Sequence, residues 1–328
     1  MHKIKDNYLF KIMKFFLVLI VCGLIFRKFY YKDIVNSAKL EFITDSQDNQ
    51  AYHPKVISFD TPWNGYKYWA AFTPYKNANE EMENPCINAS NDLINWENPN
   101  GVKNPIDKPK NADVNHYNSD THILYNPATD KLELFWRYVD DIQNTVTIYK
   151  STSSNGADWS EKEIFLYSSA RSEQDYVSPA IILEDNVYRI WYVNNKQVEY
   201  IEKSNDQIIN KKVLKINYSE KLYTWHIDVI KNGNTYEMVM VAYQNVNNRR
   251  TMKLYYTASP DNENFSTAIK IMDPSNKDDS WDNEGLYRSS ILYLNDKYYI
   301  FYSGHDSNYN VGVGLMCGKN ISKLKSCN

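Results

Sequence analysis

The stretch SDTHIL at residues 119–124 is one of five related segments that decide the fold. Each segment begins with polar residues and ends in an apolar pair, as expected for a strand whose first end faces water and whose second end is packed. Recurrence of one unit in a fixed order indicates a repeat architecture. The five segments are YHPKVI (52–57), SDTHIL (119–124), VSPAII (177–182), WHIDVI (225–230) and YRSSIL (287–292).

Every segment is followed by an aromatic strand, a third strand and an outer strand. Turn pairs such as Asn64-Gly65 and Asn232-Gly233 precede the aromatic strands and suit tight hairpins. The outer strands are predicted at 102–106, 162–167, 212–216 and 268–272, and residues 38–44 are predicted to supply the fifth by closing the ring. The aromatic strands are KYWAAFTPY (67–75), KLELFWRYV (131–139), VYRIWYVN (187–194), TYEMVMVAY (235–243) and KYYIFYSGH (297–305).

The spacing of the repeats predicts an all-β fold, a five-bladed β-propeller, over residues 38–328. Such intervals fit four-stranded blades joined by loops of varied length. A β-sandwich is the structural alternative, but it does not account for the fivefold order. The equivalent positions His53, Asp120, Ser178, His226 and Arg288 are 67, 58, 48 and 62 residues apart.

The N-terminal segment predicts a membrane anchor. The uncharged run FFLVLIVCGLIF (15–26) lies between Lys14 and Arg27, and flanking basic side chains can snorkel to the membrane interfaces. We therefore expect residues 1–37 to form a cytoplasmic tip and an uncleaved transmembrane signal-anchor helix. The propeller at 38–328 would then lie outside the cytoplasm, in the periplasm or at the cell surface. A cleaved signal peptide is the alternative.

Composition narrows the classes of partner. The chain has 37 Lys and Arg residues against 40 Asp and Glu residues, whereas a nucleic-acid-binding domain normally carries a basic excess, so we expect no nucleic-acid partner. The 28 tyrosines suit half-buried strands, and aromatic rings at a rim also suit stacking on sugars. No C-x-x-C pair is present, but Cys317 and Cys327 could form a disulfide in an exported domain.

Two columns of polar side chains are predicted to line the channel of the propeller. Side chains alternate along a strand, so equivalent positions of five inner strands should converge near one axis. Rigid strands that supply a few convergent polar groups suit a small-molecule or glycan site. A wet channel would explain serines in these columns, but it explains His, Asp and Arg less well. The upper column is His53, Asp120, Ser178, His226 and Arg288, and the lower column is Lys55, His122, Ala180, Asp228 and Ser290.

Several carboxylates lie near the predicted channel mouth. Asp120 and Asp228 belong to inner strands, whereas Asp175 and Glu284 precede the third and fifth inner strands. Hydrolysis of a glycosidic bond needs one protonated acid and one ionised carboxylate on opposite sides of the bond. Neighbouring basic side chains could separate the pKa values of two such carboxylates.

The chain resembles the propellers of glycoside hydrolase families 43, 32 and 68. The resemblance rests on the fivefold order, on the aromatic strands, and on the inner strands that start with His-Pro (53–54) and Ser-Pro (178–179). The resemblance spans about residues 40–318. It implies a glycosidase-like enzyme acting on a cell-surface or extracellular polysaccharide, with carbohydrate as the partner. That group usually sets Asp before Pro in the first blade, Asp in the second, and Glu two residues before Pro in the third.

The second of these positions is Asp120, while His53 and Val177 occupy the other two. In the glycosidase hypothesis, Asp120 acts as the base, or as the group that sets the pKa of the second catalytic carboxyl. Glu284 acts as the acid, and Asp228 is a further catalytic candidate. The alternative is a non-catalytic glycan-binding propeller in surface-polysaccharide assembly; a protein-interaction scaffold would need an apolar mouth.

No cofactor and no specific metal are predicted, because no local ligand spacing indicates one, although His122 or His226 could ligate a divalent ion. The residues predicted to bind the substrate are His53, His122, Asp175, Ser178, His226, Tyr287 and Arg288.

Overall fold

The computed structural model describes residues 13–14, 16–17, 19, 34–245 and 251–327, and within them five antiparallel sheets form a closed ring. The inner strand of each sheet contacts the inner strands of its two neighbours. The chain is therefore a five-bladed β-propeller, which confirms the prediction from the repeats. The first three blades are β1 (Ala51–Trp63), β2 (Tyr66–Pro74) and β3 (Cys86–Ser90); β4 (His116–Asn126), β5 (Lys131–Asp140), β6 (Thr145–Ser153) and β7 (Glu163–Ser168); and β8 (Val177–Glu184), β9 (Val187–Asn194), β10 (Gln197–Ser204) and β11 (Gln207–Leu214).

The fourth and fifth blades repeat the same antiparallel order. Two short 3-10 turns, Lys76–Ala78 and Glu80–Met82, lie between β2 and β3. The strands of these blades are β12 (Tyr223–Asn232), β13 (Thr235–Tyr243), β14 (Lys253–Ser259) and β15 (Ile269–Met272), then β16 (Gly285–Leu294), β17 (Lys297–His305), β18 (Val311–Gly318) and β19 (Lys325–Ser326).

The apolar core is divided among the five junctions between neighbouring blades. Each of five buried clusters takes its residues from two adjacent sheets. Trp69, Trp136 and Trp191, all in the aromatic second strands, are almost fully buried at these junctions. The abundant strand aromatics therefore act mainly as packing between blades, and this packing holds the inner strands around the channel.

A β-bulge interrupts every inner strand near its mouth end. In β1, the two residues between Tyr52 and Lys55 face one residue of β2, and the other four inner strands show the same excess of one residue. His53, Asp120 and Ser178 lie in these bulges with left-handed φ angles of 51°, 49° and 55°. Bulges re-aim side chains, and left-handed conformations of residues other than glycine cluster at functional sites.

The first blade has three strands, so the prediction of an outer strand at 102–106 is wrong. Pro105 lacks the N–H that a ladder requires. The segment instead makes separate hydrogen bonds to β3 and to the residue before it: the Asn104 side-chain amide bonds the backbone of Ile87, and the Ile106 N–H donates to the Pro85 carbonyl.

The fifth blade takes its fourth strand from the C-terminal end of the described chain, not from residues 38–44 as predicted. The Cys317–Cys327 disulfide holds β19 beside β18. Residues 38–44 still close the ring, because Lys39 bridges to β18 and the side chains of Leu40 and Phe42 pack between the fifth and first blades.

The predicted anchor at 15–26 lies largely outside the described residues. The described residues within it are 16, 17 and 19, and all three are helical. In the portion of the chain that the structure describes, no helix has the length and apolar character that a membrane span needs.

Candidate functional site

A cavity of about 270 Å³ opens at the mouth of the channel. Inner strands of all five blades reach it, and the loop between β2 and β3 covers one side. Its lining is mainly polar, with two cations, four carboxylates and several aromatic rings. The lining residues are His53, Tyr75, Glu80, Glu83, Tyr117, Ser119, Asp120, Arg137, Arg171, Asp175, Val177, Trp225, His226 and Tyr287.

His53, Asp120 and His226 form the floor of this cavity, and we call them the mouth cluster. They come from the first, second and fourth blades, and one ligand atom of each lies within 4.8 Å of the others. Asp120 Oδ1 is 3.2 Å from His226 Nδ1 and 4.0 Å from His53 Nε2. These separations bracket the spacing of about 3.3 Å between ligand atoms in a tetrahedral zinc site.

The mouth cluster keeps several polar atoms without hydrogen-bond partners. Among the described residues, Asp120 Oδ1 and both ring nitrogens of His226 are buried and unpartnered. Buried polar atoms are rarely left in this state, and each such exception needs an explanation such as an ion. His53 differs, because its Nδ1 lies 2.9 Å from the Thr73 hydroxyl. A contact of this kind can orient a histidine that ligates a metal, and it leaves His53 Nε2 to face Asp120.

Protonation states in the cluster also suit a cation. Burial lowers the pKa of His53 to about 3 and lowers the pKa of His226, so both rings are neutral at physiological pH. Burial alone would raise the pKa of Asp120, but His226, His53 and Arg288 together lower it, and the carboxylate is ionised. Two neutral imidazoles and one carboxylate are a common ligand set for a divalent transition metal.

Arg288 lies beneath the cluster and is fully buried. Its Nη1 is 3.7 Å from Asp120 Oδ1, and its Nη2 donates to the Pro179 carbonyl. Burial lowers the pKa of Arg288, against the opposing effect of Asp120 and Asp228. The guanidinium therefore supports the negative charge of Asp120 from the side opposite the cavity.

Glu83 stands beside the cluster, with its Oε2 3.7 Å from His53 Nδ1. It belongs to the loop between β2 and β3 and is only 5% exposed. Burial raises the pKa of Glu83 well above its usual range, and the negative charge of Asp120 adds to the effect. A carboxyl with a raised pKa next to one with a lowered pKa is the arrangement that divides acid and base roles.

An ion-pair chain forms the wall toward the third blade. Asp175 accepts hydrogen bonds from both Arg137 and Arg171, and Arg171 also pairs with Asp141. Arg137 is buried and also donates to Ser119, the residue before Asp120. This chain of charges holds the edges of the second and third blades together beside the cluster.

A second set of polar side chains, which we call the inter-blade set, bonds neighbouring blades inside the channel. The Lys55 ammonium lies 2.8 Å from both carboxylate oxygens of Asp228, and Asp228 accepts the Ile291 N–H. Ser178 exchanges hydrogen bonds with the backbone of Ile227. The members are Lys55, Ser178, Asp228 and Ser290, the last of which accepts the Val56 N–H.

The structure brings part of the predicted site together. His53, Asp120, Asp175, His226 and Tyr287 line the cavity. The other predicted residues are not part of its lining. Asp228 and Ser178 belong to the inter-blade set, Arg288 lies beneath the cluster, His122 Nε2 bonds the backbone of Ile181, and Glu284 is half-buried at the start of the fifth blade.

Sequence reasoning missed Glu83 and Arg137. Glu83 lies in a loop, in the acidic stretch NEEMEN at 79–84, which enters the mouth only through the turns between β2 and β3. Arg137 interrupts the aromatic run of KLELFWRYV, and a charge inside an apolar strand was a usable signal. The mouth cluster itself has no local spacing, because its three residues come from three separate blades.

Comparisons with known proteins agree with this architecture. No family model matches the chain. It is 28% identical over 294 residues to an A type blood N-acetyl-α-D-galactosamine deacetylase of Flavonifractor plautii, covering 75% of this chain and 38% of that protein. The chain thus spans well under half the length of the curated relative it matches.

Among solved structures, an N-acetylgalactosamine deacetylase from F. plautii in complex with blood group B trisaccharide has a TM-score of 0.76 at 22% identity, covering 86% of this chain and 95% of that one. An α-L-arabinanase of Cellvibrio cellulosa bound to arabinohexaose has a TM-score of 0.58 at 12% identity, with coverages of 84% and 95%. The resemblance to five-bladed carbohydrate-active propellers is therefore confirmed.

Proposed function

We propose that the protein is a metal-dependent hydrolase that removes the acetyl group from an N-acetylated sugar of a cell-surface or extracellular glycan. The observation that carries this proposal is the mouth cluster. Three side chains that can ligate a metal converge from three blades at the floor of an open cavity, and within the described chain Asp120 Oδ1 and both ring nitrogens of His226 lack hydrogen-bond partners.

The cluster leaves room for the reacting groups of a substrate. Catalytic metal sites typically keep three protein ligands and an open position, and His53, Asp120 and His226 supply three ligands at the floor of a cavity. A divalent metal held there would polarise an acyl oxygen and lower the pKa of a bound water. Within the described residues, His226 Nε2 has no hydrogen-bond partner, and His226 Nδ1 has only Asp120 Oδ1 at 3.2 Å, so both nitrogens fit this use better than a hydrogen-bond network.

The chain's own residues supply the remaining roles. Glu83, whose raised pKa favours the protonated carboxyl, would give its proton to the departing sugar nitrogen as the carbon–nitrogen bond breaks and acetate leaves, and would regain a proton from the attacking water. Tyr287 and Trp225 also line the cavity, and their aromatic surfaces suit the face of a sugar ring. Arg137 and Arg171 are paired with Asp175, and this ion-pair chain would place charged hydrogen-bonding groups beside the ring hydroxyls.

Amide cleavage fits the geometry better than cleavage of a glycosidic bond. A glycosidase needs two carboxyl groups that face each other across the bond. Asp120 instead faces three nitrogen groups, those of His53, His226 and Arg288, at 4.0, 3.2 and 3.7 Å. The similarity to a protein named as an N-acetylgalactosamine deacetylase supports the same choice.

The test is to incubate the full chain with N-acetylated oligosaccharides, including blood group A oligosaccharides, and to measure released acetate and new reducing ends separately. We expect acetate without new reducing ends, lost after treatment with a chelator and restored by Mn²⁺ or Zn²⁺. New reducing ends would support the glycosidase hypothesis instead. Binding without either product across the panel would support the non-catalytic glycan-binding alternative.

We further propose that residues 1–37 anchor the propeller outside the cytoplasm. The uncharged run at 15–26 supports this, as does the Cys317–Cys327 disulfide, because structural disulfides persist in oxidising compartments. Protease treatment of spheroplasts, in which the outer face of the cytoplasmic membrane is accessible, should then digest the propeller. Protection of the propeller, with both cysteines alkylated in fresh lysate, would contradict this location.

A further inference from the structure

A second cavity continues outward from the central one. It measures about 430 Å³ and lies over the second and third blades. Arg171, Asp175, Val177 and Trp225 line both cavities, so the two are adjoining parts of one groove. Ligand cavities commonly measure about 300–1,000 Å³, and the central cavity alone, at about 270 Å³, falls below that range.

The lining of this outer cavity is polar and carries little net charge. Its two cations, Arg171 and Lys196, are matched by Asp141 and Asp175. Trp225 is half-buried between the two cavities, where an indole face can serve two neighbouring rings. Hydroxyl-rich ligands favour this combination of amide and charged hydrogen-bonding groups with one aromatic surface.

The outer end of the groove is formed by the turn between β9 and β10. Asn195 and Lys196 occupy this turn with φ angles of 48° and 68° and are exposed. Among the described residues, the Asn195 side chain has no hydrogen-bond partner and Lys196 forms no ion pair, its ammonium lying 5.1 Å from the Tyr223 ring. Both side chains are thus available to a ligand, unlike the paired Arg171 and Asp141 nearer the centre.

We propose that the outer cavity binds a second sugar unit, the neighbour of the N-acetylated unit in the central cavity. This inference rests on the proposed function and makes it more specific: the substrate is an extended glycan chain that runs from the mouth cluster over Trp225 toward the β9–β10 turn. A single sugar would leave the outer cavity to water. The site then distinguishes a chain from a monosaccharide by contacts made far from the reacting bond.

The test variant is Asn195→Gly with Lys196→Gly. Glycine accepts the left-handed φ angles of the turn, so both side chains are removed while the backbone is retained. The matched control is Asp185→Gly with Asn186→Gly. Those residues form the β8–β9 turn at the opposite end of the same blade, have φ angles of 51° and 62°, and are equally exposed.

The probes are two series: N-acetylgalactosamine up to the blood group A tetrasaccharide, and N-acetylglucosamine up to chitotetraose. The rate of acetate release gives kcat/KM for each probe, and isothermal titration calorimetry gives its dissociation constant. We expect the wild type to prefer the longer members of the series it accepts. The test variant should reduce that preference by roughly twofold to tenfold, the value of one or two hydrogen bonds, and the control should keep it. Thermal unfolding of both variants checks that the blade is intact. If the double variant is unfolded, the single variant Lys196→Gly replaces it in the same assays.

The outcomes separate this inference from the proposed function. Acetate release that is independent of chain length, or a preference that the test variant keeps, overturns the outer subsite and leaves the deacetylase intact. Length-dependent binding that the test variant weakens, with no acetate from any probe, upholds the subsite and overturns the deacetylase. Neither binding nor release with any member of the two series overturns both.

Discussion

Two groups of buried polar residues share the channel, yet they differ in whether their hydrogen-bonding groups have partners. In the inter-blade set, Lys55 pairs with Asp228, and the polar groups bond the backbone of neighbouring blades. In the mouth cluster, Asp120 and His226 keep unpartnered atoms within the described structure. Asp120 and Asp228 are buried alike, at 3% and 1% exposure, so burial does not separate them.

The difference shows which polar residues of a propeller channel serve the fold and which are available for chemistry. A buried charge that is paired and hydrogen-bonded has its desolvation largely offset. A buried group without a partner destabilises the fold unless something else binds it. The comparison therefore assigns stability to the inter-blade set and ligand binding to the mouth cluster, and substitutions in each set can test that division.

Asp120→Asn should have the largest effect. It removes the charged ligand from the mouth cluster, and since even outer-shell partners of a metal cost about 10–100-fold, we expect acetate release to fall at least about a hundredfold. Metal content after dialysis, measured by mass spectrometry, should fall in parallel. Full metal content with normal activity would show that the cluster is not the metal site.

Glu83→Gln should lower kcat by about 10²–10⁴-fold, the usual contribution of a general acid or base. Metal content should stay at the wild-type level, because Glu83 is not one of the three clustered ligands. Stopped acetate assays and metal analysis on the same preparation distinguish the two roles. Glu284→Gln is the matched control, since Glu284 does not line the cavity; a greater loss with Glu284→Gln would favour the role predicted from the sequence.

Asp228→Asn should instead reduce stability. It leaves the Lys55 ammonium buried without its partner, and breaking a buried pair typically costs about 3–5 kcal/mol. Urea unfolding would measure this loss, while activity per folded molecule should stay close to that of the wild type. Adding Lys55→Met should recover most of the stability. A stable Asp228→Asn variant with greatly reduced kcat would favour the catalytic role that the sequence predicted for Asp228.

Ser178→Ala should have the smallest effect of the four. The hydroxyl bonds both the N–H and the carbonyl of Ile227 across a blade junction, and leaving buried groups unpaired costs about 1–3 kcal/mol. A lower urea midpoint with unchanged KM would confirm a structural role. A raised KM at unchanged stability would support the substrate contact predicted for this residue.

The fold could be predicted well from the sequence, and the candidate site only in part. The polar-to-apolar inner segments and aromatic second strands specify five blades through local patterns. The outer strands were less predictable, because Pro105 prevents pairing in the first blade and a disulfide recruits Lys325–Ser326 in the fifth. Alignment of the inner strands found His53, Asp120 and His226, but it could not find Glu83, which reaches the mouth only through loop turns.

The sequence by itself determined the number of blades and the presence of polar side chains at the start of each inner strand, because hydrophobic alternation is a local property of the chain. Only the tertiary structure decided which of those side chains pair with a neighbour and which remain open. Partnering depends on distances across the channel between blades, and on a one-residue bulge in each inner strand that re-aims the side chains. Lys55 Nζ lies 2.8 Å from Asp228 Oδ1 and forms an ion pair with it. His226 Nδ1 lies 3.2 Å from Asp120 Oδ1, but the two atoms do not meet the geometry of a hydrogen bond.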